Sequence, residues 1–232
     1  MTIPDDSTMS ILTQLPHDVP RQLFIAIEGS IGIGKSTLAK KLAKALGYQV
    51  FEEPLTGPVQ ELRTKFYNNP NQYAFALQMK LFMYRFRQHK LIWDLGVGAV
   101  QDRSIYGDKP FAYLQHDLGI MDDEQIAVYE DTWAVFKAHI VYPDIMIFLH
   151  APLDILMERI KGQRRRPEET KITPEYLNGL CNRIDDLYTE MRNENVLCLQ
   201  YHWSEPEQMF DTLLRHIKAE QNKPGHKWRH TR

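Results

Sequence analysis

Eight residues, Gly29-Ser-Ile-Gly-Ile-Gly34-Lys35-Ser36, constrain this chain more than any other stretch. They follow the apolar run Leu23-Phe24-Ile25-Ala26-Ile27, and they precede a segment in which Leu38, Leu42, Ala45 and Leu46 recur at helical spacing until Gly47 supplies a stop. A buried strand, a glycine-rich turn and a helix in that order are the context that makes a Walker A match a phosphate site. Glycines let the backbone curl until its N–H groups face phosphate oxygens, and the following helix adds the positive end of its dipole. Gly29, Ser30, Ile31, Gly32, Ile33, Gly34, Lys35, Ser36 and Thr37 are therefore the expected ATP-binding cradle. Lys35 is expected on the β- and γ-phosphates, and the Ser36 hydroxyl on Mg²⁺.

The rest of the chain repeats the alternation. Tyr48 to Phe51 reads as a second strand and Gln72 to Leu95 as a long, unusually apolar helix. Gly98 to Asp102 and Asp144 to Leu149 read as strands, with a helix from Asp122 to His139 between them. Helices are expected over Leu153 to Ile160 and Pro174 to Arg192, either side of a polar segment, and a last strand over Val196 to Leu199. The expected fold is α/β: a P-loop kinase fold, a parallel β-sheet flanked by helices, with an arginine-rich lid. One domain over 23–220 follows from 232 residues, with 1–22 as an N-terminal extension and 221–232 as a basic tail.

Composition narrows the class. Hydrophobic residues at 43% and charged residues at 25% are ordinary globular usage, and a formal net charge of -2 argues against a nucleic-acid partner. Cys181 and Cys198 are too few and too far apart for a zinc site, and a reducing compartment is the simpler reading. No apolar run approaches the roughly 18–20 residues that span a bilayer, and no signal pattern opens the chain, so a cytoplasmic enzyme without membrane contact is expected.

Three features behind the loop bear on the acceptor. Glu52 and Glu53 end the second strand, where successive side chains take opposite faces, so one of them can face the site. Asp102 ends another strand beside the loop, where a carboxylate can meet Mg²⁺, and Arg103 follows with a planar fork able to bind two oxygens. Arg159, Arg164, Arg165 and Arg166 gather in a polar connection that could close over a triphosphate, or could lie in water as charge runs usually do.

With Glu53-Pro54, Tyr67, Gln78 and Asp102-Arg103-Ser104, the chain resembles the deoxynucleoside kinases of the deoxycytidine, deoxyguanosine and deoxyadenosine type over roughly residues 23 to 200. Arg85-Phe-Arg-Gln-His-Lys90 and Gln101-Asp-Arg-Ser-Ile-Tyr106 give it the flavour of the bacterial-type purine enzymes. The resemblance implies transfer of the ATP γ-phosphoryl group to a deoxynucleoside 5′-hydroxyl, with Glu53 as general base. It also implies Lys35 and Arg103 at the transferring group, and Ser36 and Asp102 at Mg²⁺. Arg159, Arg164 and Arg166 fall to the ATP lid, Tyr67 and Glu169 to the sugar 3′-hydroxyl, and Gln78, Arg85 and Asp108 to the base. Phe75, Phe82, Phe111 and Tyr106 are candidate walls for the base. A homodimer or larger homo-oligomer is expected through the two apolar helices.

A thymidylate-type monophosphate kinase is the nearest alternative. It would carry an arginine before its Glu-Pro pair, where this chain has Glu52, whose charge would repel a phosphate dianion. A GTP-dependent switch would need an Asn-Lys-x-Asp motif, and Asn222-Lys223 is followed by Pro-Gly instead.

Overall fold

The computed structural model describes residues 22–53, 57–163, 169 and 171–223. Its central strand is β1 (Phe24–Gly29), whose six residues are all buried. β3 (Ala99–Asp102) and β4 (Ile145–His150) flank it, and β2 (Gln49–Phe51) and β5 (Leu197–His202) form the edges. The order is β2-β3-β1-β4-β5, with every pairing parallel. The chain runs from β1 out to β2 and back to β3, then crosses to β4 on the far side of β1. Loops after the central strands thus leave in opposite directions and open a crevice at the carboxyl edge of the sheet.

Eight helices are present among the described residues: α1 (Lys35–Leu46), α2 (Gly57–Asn68), α3 (Pro70–Leu95), α4 (Lys109–Asp117), α5 (Asp123–Lys137), α6 (Leu153–Glu158), α7 (Pro174–Asn193) and α8 (Pro206–Gln221). Side chains alternate across a strand, so β1 feeds two cores. Ile25 and Ile27 meet Leu38 and Leu42 of α1 and Leu213 and Ile217 of α8. Ala26 lies on the other face with Met146, Phe148, Phe82 of α3, Trp133 of α5 and Ile184 of α7. Each such aliphatic side chain taken fully out of water contributes about 1.5–3 kcal/mol, so both helical layers are held firmly against the strand that carries the loop.

The structure bears out the expected class and the order of its elements, and moves several boundaries. Asp122 accepts from the Gln125 N–H at 2.8 Å in a capping box, which starts α5 one residue later than read. α6 ends at Glu158 and passes into a π-helical turn at Arg159–Gln163. β5 runs on to His202. α8 reaches Gln221, which donates to the Tyr48 hydroxyl at 2.5 Å, and Gln22 accepts from the Gly98 N–H, so both residues join the body. The remainder of the extension and of the tail lies outside the described residues, apart from Asn222 and Lys223.

Candidate active site

The loop between β1 and α1 has the shape its glycines predict. Gly32 sits at φ 82°, and a Cβ there would lie 2.8 Å from Ile160 Cγ1 and 3.1 Å from the Leu156 carbonyl, so both its conformation and its packing exclude a side chain. Gly34 caps α1 without a side-chain hydrogen bond, and the first turn carries no acidic residue. Its N–H groups are left for an anion. Lys35, only 7% exposed, turns back to donate to the Gly29 and Ser30 carbonyls at 3.0 and 2.8 Å.

Ser36 Oγ donates to Asp102 Oδ2 at 2.5 Å, because α1 begins beside the end of β3. Asp102 Oδ1 is buried and has no hydrogen-bond partner. Two hard oxygen donors, one of them unsatisfied, suit a Mg²⁺ ion that takes its remaining ligands from water and phosphate. The residues present therefore fit the ion the loop implies.

Across the crevice, Glu53 stands at the end of β2 with 16% of its side chain exposed. Its Oε1 accepts from Arg85 Nη2 at 2.7 Å, with Arg63 Nη2 and Arg103 Nε each at 3.8 Å. Burial pushes its acidity down in strength, yet Arg63, Arg85, Arg103 and Lys35 together outweigh that and hold the carboxyl well below the usual range. It is ionised at neutral pH. Burial likewise brings Arg85 down to about 10, opposed chiefly by Glu53, and Arg85 also hydrogen-bonds Asp108. Arg103 lies at φ 67°, a left-handed conformation uncommon outside glycine, which swings its side chain over the Phe111 ring at 4.5 Å and onto the Gly29 carbonyl at 3.0 Å.

Two clefts meet here. One is lined by Lys35, Glu53, Tyr67, Gln78, Arg85, Arg103, Asp108 and Glu169 among others. The other runs over the glycine loop and is lined by Gly32 to Leu38, Arg159, Trp203 and Phe210. Lys35 and Glu53 line both. A deoxynucleoside kinase family profile matches residues 25–220.

The chain belongs to the deoxynucleoside kinase family. It is accordingly a phosphotransferase acting on deoxynucleosides. It is 34% identical over 174 residues to the deoxyadenosine/deoxycytidine kinase of Bacillus subtilis, covering 73% of this chain and 78% of that one. It is 35% identical over 201 residues to a deoxyadenosine kinase of Dictyostelium discoideum, covering 84% and 78%. In fold it is similar to the M. mycoides deoxyadenosine kinase with bound dATP, at a TM-score of 0.75 and 24% identity over 84% of this chain and 99% of that one.

The kinase brings most of the expected site residues together. Glu53, Tyr67, Gln78, Arg85, Arg103, Asp108 and Glu169 all line the first cleft, and Gln78 Nε2 donates to the Asp108 carbonyl at 3.3 Å. Arg159 lines the second cleft, where its guanidinium donates to the carbonyls of Trp203 and Ser204, the shortest contact being 2.8 Å. It ties the β5–α8 connection to the phosphate loop. Arg164, Arg165 and Arg166 lie outside the described residues. Of the four candidate wall aromatics, Phe111 lines the first cleft; Phe82 and Tyr106 are core residues, 0% and 1% exposed, and Phe75 packs against the core. Phe66, Tyr67 and Tyr176 supply the other aromatic surface.

One reason drawn from sequence fails. Glu52 is exposed and pairs with Lys40 at 2.7 Å, so its charge does not face the acceptor and cannot repel a phosphate there. Family membership, not Glu52, sets aside the monophosphate kinase reading. Sequence reasoning also missed two residues. Glu28, fully buried, accepts from the Ser104 N–H and hydroxyl at 2.7 Å each and lies 3.7 Å from Arg103, so that β1 is locked to the turn after β3. A Cβ at Gly107 would fall 2.2 Å from its Oε2, which is why a glycine stands there. Arg63 is the other, a buried cation on α2. Its signal was weak, a single arginine in a polar stretch.

Proposed function

We propose that the kinase transfers the γ-phosphoryl group of ATP to the 5′-hydroxyl of a purine deoxynucleoside, deoxyadenosine or deoxyguanosine, with deoxycytidine as a side substrate. The carrying observation is that Lys35 and Glu53 stand on the wall shared by both clefts, so a donor on the loop and an acceptor against α3 would meet between them. In this reading Glu53 receives the 5′-hydroxyl proton. The phosphates of the donor would offset the surrounding cations and make that carboxylate a better proton acceptor than it is alone. Lys35 and Arg103 would hold the transferring group, which needs positioning and charge more than covalent help.

Ser36 and Asp102 would hold Mg²⁺, which when bound neutralises charge on the β- and γ-phosphate oxygens. Tyr67 and Glu169 would take the 3′-hydroxyl, and Arg159 would flank the donor. The kinase would work in the cytoplasm, as one domain over 23–220. Val128 and Val135 of α5 are exposed, as are Leu91 and Leu95 near the end of α3, and these exposed apolar side chains support a homodimer.

Arg85 and Asp108 would set the base. A guanidinium fixed by a carboxylate offers oriented donors, and a base that cannot answer leaves them unpaired at about 1–3 kcal/mol per group. Thymidine should be the poorest of the four natural deoxynucleosides by kcat/KM, and Arg85→Met with Asp108→Ala should change the ranking. Thymidine as the best wild-type substrate, or an unchanged ranking in the double variant, would overturn the assignment.

A further inference from the structure

Arg63 is the charged side chain of the acceptor cleft that the assignments above leave without a task. It lies on α2 with 8% of its side chain exposed, one helical turn before Tyr67 and on the same face, and both line the cleft. A guanidinium taken out of water is costly unless its donors are met. Arg85 hydrogen-bonds Glu53 and Asp108, and Arg103 hydrogen-bonds the Gly29 carbonyl, although its Nε and Nη1 are buried without hydrogen-bond partners. Among the described residues Arg63 has one ionic neighbour, Glu53 Oε1 at 3.8 Å, which is too far for a hydrogen bond. Its donors are therefore left to face the cleft, at the end where Glu53 would meet the 5′-oxygen.

We propose that Arg63 binds the new 5′-phosphate of the product, so that the cleft grips a deoxynucleoside monophosphate more tightly than the deoxynucleoside itself. The inference rests on the reading in which Glu53 receives the 5′-hydroxyl proton. In that step the O5′–H bond breaks and its proton goes to Glu53, the O5′–Pγ bond forms, and the bond from Pγ to the bridging oxygen breaks with its electron pair leaving on ADP. Glu53 becomes neutral as a phosphate dianion appears beside it. Arg63 thus loses its carboxylate partner and gains a phosphate at the same moment, and a bidentate guanidinium suits that ligand.

The test is equilibrium binding to the purified kinase without donor nucleotide, using the deoxynucleoside with the highest kcat/KM and its own 5′-monophosphate. Arg63→Leu should weaken the monophosphate about ten- to hundredfold, the range of a lost charge-assisted contact, and leave the deoxynucleoside within about threefold. Arg63→Lys should retain part of the monophosphate affinity, and serves as the probe if the leucine variant does not fold. Equal losses for both ligands would mean that Arg63 only packs the cleft, and an unchanged monophosphate affinity would mean that it does not touch the phosphate. The same substitution in a Glu53→Gln background separates a direct contact from an effect through Glu53: the loss should persist there, and its disappearance would overturn the proposal. Failure of the Glu53 reading is visible separately, as a wild-type kcat in Glu53→Gln.

Discussion

His89 should make the fold sensitive to mild acid. Its ring sits on α3, 1% exposed, with Nε2 donating to the Val141 carbonyl at 2.6 Å and edges against Phe24 and Tyr106. Burial brings the imidazole down from 6.5 to about 4, with the Val141 carbonyl partly opposing it. The unfolded chain therefore takes up a proton near pH 6.5 while the folded chain resists until about pH 4. The stabilisation is complete above 6.5 and is lost as pH falls through the window between the two values, at roughly 1.4 kcal/mol per pH unit. Between pH 7 and pH 5 that amounts to about 2 kcal/mol. His89→Gln keeps a donor for Val141 and removes the titration. Urea unfolding at both pH values should show the wild type losing about 2 kcal/mol more than the variant over this interval. Equal losses in the two proteins would refute the reasoning, and would mean that the ring already meets water or titrates normally in the native state.

Glu53→Gln should lower kcat by about 10²–10⁴-fold while deoxynucleoside binding persists, measured by steady-state kinetics and calorimetry; a wild-type kcat would remove Glu53 from the role of base. Sedimentation at micromolar concentration should find a homodimer, held by the exposed apolar residues of α3 and α5, and a monomer throughout would count against that surface.

What the sequence made legible was local. The phosphate loop could be read because strand, glycines, lysine and helix are contiguous, and Glu53 and Asp102 because each ends a strand beside it. The helices α2, α4 and α8 were not read; Pro58, Pro110 and Pro206 stand in their first turns, where the missing N–H costs nothing. Glu28 and Arg63 were hidden for another reason. Ser104 lies 76 residues from Glu28, and the partner of Arg63 is on a different element, so neither partnership leaves a pattern along the chain. Phe82 shows the converse limit, since an aromatic on an apolar helix reads the same whether it faces a ligand or a core.

The Gly29 carbonyl oxygen accepts from Lys35 Nζ and from Arg103 Nη2, each at 3.0 Å. If Lys35 swings outward to meet a triphosphate, as the proposed function requires, Arg103 still donates to that oxygen, so the Gly29 carbonyl keeps a partner while the Ser30 carbonyl loses one. Arg103 follows β3, with Glu28 of β1 at 3.7 Å and Glu53, beyond β2, at 3.8 Å. The resting shape of the phosphate loop therefore depends on Arg103 as well as on Lys35, and a substitution that draws Arg103 towards Glu53 should change the affinity for a nucleotide bound at that loop.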